Sequence, residues 1–264
     1  VKPAAGRGEP WWLWPNLLSL DAPLVAWLWQ RLLAQTFGVP LSVAAQGSLF
    51  LVVWLVYLID RWLDATGPVH THRHDFYRRY RLGTGVLIVV VALAAAGLIL
   101  GWLEGPVRRA GWALGVVVLF YFGAVHRGRL GLIWKEMAVG LLFSLGVGLA
   151  IWAQAETLPA RFWLVLSGFT LLCGWNCVLI ETRETNPGEC NPAAGRLFIW
   201  GLGAVLGFAG VAFENWTQFP CLTALILSAV GLAGLAGVQH RFSTEAFRVG
   251  VDLALLTPLL FLLR

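Results

Sequence analysis

The sequence is short of charge. Of its 264 residues only 12% are Asp, Glu, Lys or Arg, about half the roughly 25% of a soluble domain. Methionine occurs once and cysteine four times, as Cys173, Cys177, Cys190 and Cys221. None of these makes a C-x-x-C pair, so neither a zinc site nor a disulfide framework is indicated. P-loop, H-E-x-x-H and G-x-G-x-x-G patterns are also missing. What fills the chain instead is apolar. Hydrophobic residues make up 58% and aromatic residues 13%, with fifteen Trp and fifteen Phe. The mean hydropathy is +0.73. This composition excludes a disordered chain, a disulfide-rich secreted module and an ordinary water-soluble enzyme. It leaves an all-α, polytopic transmembrane bundle, with residues 1–264 forming a single domain.

The formal charge is +5. In a membrane protein this points to basic loops on the cytoplasmic side rather than to nucleic acid. Such a chain has no basic soluble domain to grip a duplex, so no nucleic-acid partner is expected. The start, Val1-Lys2-Pro3-Ala4, has no signal-peptide pattern, and its missing Met suggests a processed or trimmed chain.

A spanning helix needs roughly 17–25 mostly apolar residues. Nine segments qualify: 21–38, 41–63, 85–103, 108–125, 131–153, 160–181, 195–214, 219–238 and 246–263. Residues 1–20, with Trp11, Trp12 and Trp14, suit the membrane interface. Residues 65–84 form a basic loop. With the N-terminus inside, the inner segments carry fourteen Lys and Arg, and the outer ones only Arg108, Arg109, Arg161 and Arg264; Arg31 lies within a span. That bias predicts a multi-pass protein of the cell membrane, such as a bacterial inner membrane, with a cytoplasmic N-terminus. Gly111–Gly115 and Gly203–Gly207 are G-x-x-x-G pairs, expected to pack helices closely. A transporter would be expected to show broken helices or repeats at mid-membrane, and the sequence suggests neither.

Charged side chains near membrane spans are costly and therefore informative. Tyr57, Asp60 and Asp64 stand at i, i+3 and i+7 near the end of the second span, so they share a helix face. Glu181 and Glu184 stand at i, i+3 at the end of the sixth span, on the same side. Two carboxylate pairs on facing helices suit Mg2+, which prefers oxygen ligands and shares its shell with substrate phosphates. Arg61 and Arg183 lie beside them and suit phosphate. The plainer alternative is a set of interfacial salt bridges, Asp60 or Asp64 with Arg183, or Glu184 with Arg61.

These residues resemble the UbiA superfamily of intramembrane prenyltransferases. That family has nine helices, a first motif N-D-x-x-D-R-x-x-D and a second motif D-x-x-D-x-x-x-D. Val56 to Asp64 keeps the D-R-x-x-D half, with Val56 and Tyr57 in place of the leading pair. Glu181-Thr182-Arg183-Glu184 matches D-x-x-D with Glu for Asp; Gly188 replaces the last acid, with Glu189 beside it. Tyr121 with His126-Arg127 resembles the family's Tyr…Lys-Arg segment after its fourth helix. The resemblance implies a central cavity in which Mg2+ and the diphosphate of an isoprenoid donor are held. Asp60, Asp64, Glu181 and Glu184 would be the metal ligands and catalytic residues. Tyr57, Arg61, Tyr121, Arg127, Lys135, Asn176 and Arg183 would contact substrate, and Arg129 is a further phosphate candidate. Trp62 and Trp175 are candidate walls for an allylic cation. The implied reaction moves an isoprenoid group from a prenyl diphosphate to a lipophilic acceptor within membrane lipid. Two alternatives are a non-catalytic UbiA-like protein that binds an isoprenoid lipid or a membrane partner, and a UbiA-type terpene cyclase.

The basic loop contains His70, His72, Arg73, His74, Arg78, Arg79 and Arg81. It is expected to be a solvated orientation anchor touching anionic headgroups; the alternatives are a lid over the diphosphate and a metal site. Asn176 is expected to bond across helices. Asp252 is expected to pair with Arg248 one turn earlier, and Lys135 with Glu136. Asn215-Trp216-Thr217 fits a glycosylation triplet.

Overall fold

The computed structural model describes residues 10–65, 72–126, 132–185, 203 and 220–263, and all regular structure among them is helical. A 3-10 turn at Trp11–Leu13 leads into α1 (Trp14–Leu17), α2 (Asp21–Phe37), α3 (Val43–Asp64), α4 (His72–Arg79), α5 (Arg81–Trp102), α6 (Gly105–His126), α7 (Leu132–Gln154) and α8 (Ala160–Thr185). Then come α9 (Pro220–Val238), α10 (Thr244–Leu253) and α11 (Leu259–Leu262). Among the described residues, six helices are long and apolar enough to cross a membrane: α3, α5, α6, α7, α8 and α9. The predicted span 195–214 lies outside the described residues except for Gly203, as do Cys190 and the triplet at Asn215.

Local chemistry sets the helix ends. Gly38, at φ 67°, closes α2, with the Val39 and Gly38 N–H groups donating to Ala34 and Gln35 carbonyls at 3.0 and 3.4 Å. Only a residue without Cβ enters that left-handed region at no cost. The Ser42 hydroxyl accepts the Ala45 N–H at 3.0 Å and starts α3. Ser243 does the same for α10 through Ala246 at 3.2 Å.

α2 is the axis of the bundle. It packs against α3, α7, α9, α10 and α11, and Val25, Ala26, Leu28, Trp29, Leu32 and Leu33 are all buried. At 17 residues it is about 25 Å long. The Trp29 ring stacks on Phe169 of α8 with centroids 4.4 Å apart. Its indole N–H donates to the Leu255 carbonyl at 2.9 Å. The opposite extreme is α5 and α6, which present Val86, Val89, Leu93, Val116, Leu119 and Phe120 outward. So large an apolar surface is unfavourable in water and natural in lipid.

Three expectations change. The segment 246–263 is not one helix: α10 stops at Leu253 and the chain turns before α11. Pro258 explains the break, because it donates no N–H and disfavours helical backbone at Thr257. Side chains hold the break: the Thr257 hydroxyl donates to the Ala224 carbonyl at 3.0 Å and shares a 2.7 Å hydrogen bond with Ser228, and the Leu255 carbonyl accepts the Trp29 indole N–H. A broken helix is thus present after all, buried against α2 and α9. The basic loop is folded and partly buried: its α4 buries Arg73, His74 and Tyr77, while Asp75, Arg79 and Arg81 stay exposed. Finally, a Cβ on Gly111 or Gly115 would meet nothing within 4 Å. The close helix approach lies elsewhere, where a Cβ on Gly140 of α7 would stand 2.6 Å from the Thr170 carbonyl and 2.8 Å from the Gly174 nitrogen of α8.

Candidate functional site

Both acidic motifs close long helices at one end of the bundle, and their charges are held differently. On α3, Arg61 Nη1 lies 3.7 Å from Asp60 Oδ2 and 4.0 Å from Asp64 Oδ2. These are loose contacts, and the two carboxylates keep 35% and 44% of their side-chain surface exposed. On α8, Glu184 is gripped. Its Oε1 lies 3.1 Å from Arg248 Nη1 of α10 and 3.4 Å from Arg73 Nη2 of α4. Arg61 also acts electrostatically on Glu184. Arg73 and Arg248 are almost fully buried, yet among the described residues Arg73 Nε and Arg248 Nε and Nη2 have no hydrogen-bond partner. Such donors are expensive to leave unpaired.

α4 brings Arg73 into this cluster because its own anchors are strong. The Tyr77 hydroxyl shares a 3.1 Å hydrogen bond with Ser19, and Arg78 Nε donates to the Ala65 carbonyl. Ser19 sits at φ 53°, a region that a side-chain-bearing residue enters only when held there. Burial pushes the Tyr77 phenol above its ordinary range, with the Ser19 bond opposing. Burial, and then Arg61, push the Arg73 guanidinium down to about 10, with Glu184 opposing. Arg73 therefore stays charged at neutral pH. His74 is pushed below the ordinary imidazole value by burial, then by Arg73 and Arg61.

α7 and α6 supply the next wall. Lys135 Nζ lies 3.6 Å from Glu136 Oε1, as the sequence suggests. Glu181, Asp60 and Asp64 also act electrostatically on Lys135. Glu136 is buried and interacts with the Cys177 thiol. Tyr121 lies within the electrostatic reach of Glu136 and Asp60.

A second polar layer lies deeper. Asn176 Nδ2 donates to Asp252 Oδ1 at 3.2 Å, and Asn16 Nδ2 donates to Asp252 Oδ2 at 3.1 Å and also to Asp21. Asn16 thus bridges the Asp21 and Asp252 carboxyls. Tyr57, one turn deeper than Arg61, interacts with Cys177 and Asp21.

Several expected pairings are thereby replaced. Arg183 turns away from the aspartates and donates to the Phe242 carbonyl at 2.9 Å. Arg248 reaches Glu184 rather than Asp252, which is left to the two asparagines. Trp175 is packed in the core, and Trp62 faces outward beneath Arg81, 4.4 Å from its ring. Arg127, Arg129, Gly188, Glu189 and His70 lie outside the described residues. Sequence reasoning missed Asn16, Asp21 and the Arg248–Glu184 contact. The i, i+4 spacing of Arg248 and Asp252 on an apolar segment was the available signal; Asn16 has none.

Among the described residues, no group of three or more His, Cys, Asp or Glu is gathered closely enough to hold a metal ion. A recess of about 610 Å³ lies away from both layers, on the outer side of α3 and α5, lined by Trp62, Arg81, Gly85, Val86 and Val89. No family model, curated protein or solved structure matches the chain.

Proposed function

We propose that the chain is an integral membrane prenyltransferase of the UbiA kind, which moves an isoprenoid group from a prenyl diphosphate to a lipophilic acceptor. The observation that carries this reading is the set of unpartnered guanidinium nitrogens at the motif end. Arg73 and Arg248 converge on the single carboxylate of Glu184, and among the described residues Arg73 Nε and Arg248 Nε and Nη2 find no hydrogen-bond partner. A diphosphate is the kind of anion that would satisfy them. Lys135, shared among Glu181, Asp60 and Asp64, adds a further positive charge. In this reading the bundle has nine spans around a central cavity, and the motif end is cytoplasmic, in keeping with the bias of Lys and Arg.

Asp60 and Asp64 fit Mg2+ chemically: they are hard oxygen donors, partly exposed and only loosely held by Arg61. Two carboxylates suffice for an ion that completes its shell with water and substrate phosphate. Glu184 does not fit as a ligand while two arginines hold it. When bound, the ion supplies charge that stabilises the departing diphosphate. The arginines orient the diphosphate and hold its negative charge away from water. The commitment of Glu184 to Arg73 and Arg248 favours one second reading, a UbiA-like protein that binds the donor without turning it over.

Incubating the purified chain with farnesyl diphosphate, Mg2+ and a phenolic acceptor, and measuring released diphosphate, separates the two. Release that needs Asp60 and Asp64 supports the transferase. Donor binding without release supports the second reading, and no binding overturns both.

A further inference from the structure

We propose that the recess between α3 and α5 is a discrete binding site for one anionic glycerophospholipid, with the headgroup phosphate on Arg81 and an acyl chain laid along α5. The recess holds about 610 Å³ and is lined by Trp62 of α3 and by Arg81, Gly85, Val86, Val89 and Val90 of α5. Arg81 opens α5, at the end of the bundle where the acidic motifs lie, and the apolar residues follow it into the span. Val86 and Val89, followed by Leu93, stand at i, i+3 and i+7, share a helix face and are all exposed. Arg81 to Val90 covers about 13 Å of helix. A cation at the rim and an apolar run behind it match an amphiphile with a charged head.

The rim is held in place by two contacts. The Trp62 indole N–H donates to the Arg81 carbonyl at 3.3 Å, which joins the end of α3 to the start of α5. The Arg81 guanidinium lies over the same ring, 4.4 Å from its centroid. Arg81 is exposed, and among the described residues no carboxylate pairs with it. Gly85 leaves the space behind the rim open. A Cβ there would meet only Trp62 Nε1, at 3.9 Å, so the missing side chain is what makes the room.

Charge selects the ligand. Arg79, two residues before Arg81, is also exposed, with its guanidinium 5.6 Å from the Tyr80 ring. Two exposed arginines favour a headgroup of net negative charge. A choline headgroup would set its own cation against them, and the Trp62 ring that could hold a quaternary ammonium already carries Arg81. A diphosphate calls for a metal ion and its oxygen ligands, and among the described residues the lining contains no carboxylate. The apolar residues open outward, to the side where lipid lies. The site is separate from the arginines around Glu184 and does not rest on the transferase reading.

The test is native mass spectrometry of the purified full chain in detergent, titrated with dioleoylphosphatidylglycerol or dioleoylphosphatidylcholine. Wild type is expected to bind the first phosphatidylglycerol at least about tenfold more tightly than the first phosphatidylcholine, the scale set by two arginines beside a phosphate. Arg81→Gln should lose most of that preference. Gly85→Leu, which fills the recess and leaves every charge in place, should lose it as well. Arg109→Gln removes an exposed arginine of α6 at the opposite end of the bundle and should keep it. A thermal transition in each variant shows that it folds. Equal affinity of wild type for the two lipids overturns the proposal. So does either folded variant, Arg81→Gln or Gly85→Leu, that keeps the preference, since attraction would then be diffuse. Loss of the preference in Arg109→Gln overturns it for the same reason. Stoichiometric displacement of phosphatidylglycerol by farnesyl diphosphate would make the recess a port for that donor, and the phospholipid site falls.

Discussion

Arg248 Nη1 lies 3.1 Å from Glu184 Oε1, and this contact ties the broken last helix to the end of the second acidic motif. Arg73 reaches the same oxygen from α4 at 3.4 Å. One carboxylate thus pairs with two buried cations brought from opposite parts of the chain. Removing it is expected to cost far more than a surface pair would. Glu184→Gln should destabilise the protein by about 3–5 kcal/mol, the scale of an uncompensated buried charge. Thermal unfolding in detergent measures this. Pyrophosphate added to the variant should restore part of the loss, because it gives both guanidiniums a new partner. An unchanged transition would show that the arginines are satisfied without Glu184.

The α7–α8 contact makes a sharper steric prediction. A methyl group at Gly140 would press on backbone atoms of Thr170 and Gly174 that have nowhere to go. Gly140→Ala should therefore destabilise by about 1–3 kcal/mol, as overpacking does. Gly111→Ala and Gly115→Ala meet nothing and should be neutral or slightly stabilising in thermal unfolding.

Docking of α4 should depend on pH through His74. Its folded value lies below the ordinary 6.5 because of burial, Arg73 and Arg61. Above that ordinary value the imidazole is neutral whether α4 is docked or not, and docking is at full strength. As pH falls below it, the undocked state takes up the proton first, and docking weakens down to the lowered folded value. Hydrogen exchange of the α4 amides should accelerate across that window in wild type and stay flat in His74→Gln. Equal pH dependence in both would remove His74 as the cause.

The fold was legible because lipid demands long apolar helices and leaves few alternatives. The expected spans beginning at 41, 85, 108, 131, 160 and 219 correspond to the six long helices within a few residues. The last span was misread because Pro258 lies inside an apolar run whose hydropathy hides the break. The Gly111–Gly115 pattern was misread for a related reason: spacing shows which residues share a face, not which face meets a partner. At the site, the shared face of Asp60 and Asp64 followed from helical period. The grip on Glu184 did not, because Arg73 and Arg248 lie 175 positions apart in sequence and no local pattern joins them. Tyr77 on Ser19 is the same case, a contact made only when α4 folds back onto the loop before α2.

The most direct test of the account is calorimetric titration of farnesyl diphosphate into the purified chain, with and without Mg2+, alongside the Asp60→Asn/Asp64→Asn double variant. Both aspartates are partly exposed and only loosely paired, so the variant should fold normally. The account predicts that wild type binds the donor more tightly with Mg2+ and that the variant loses this metal dependence while the arginines still give weak binding. A wild-type protein that binds no donor, or a variant with undiminished Mg2+ dependence, would contradict it.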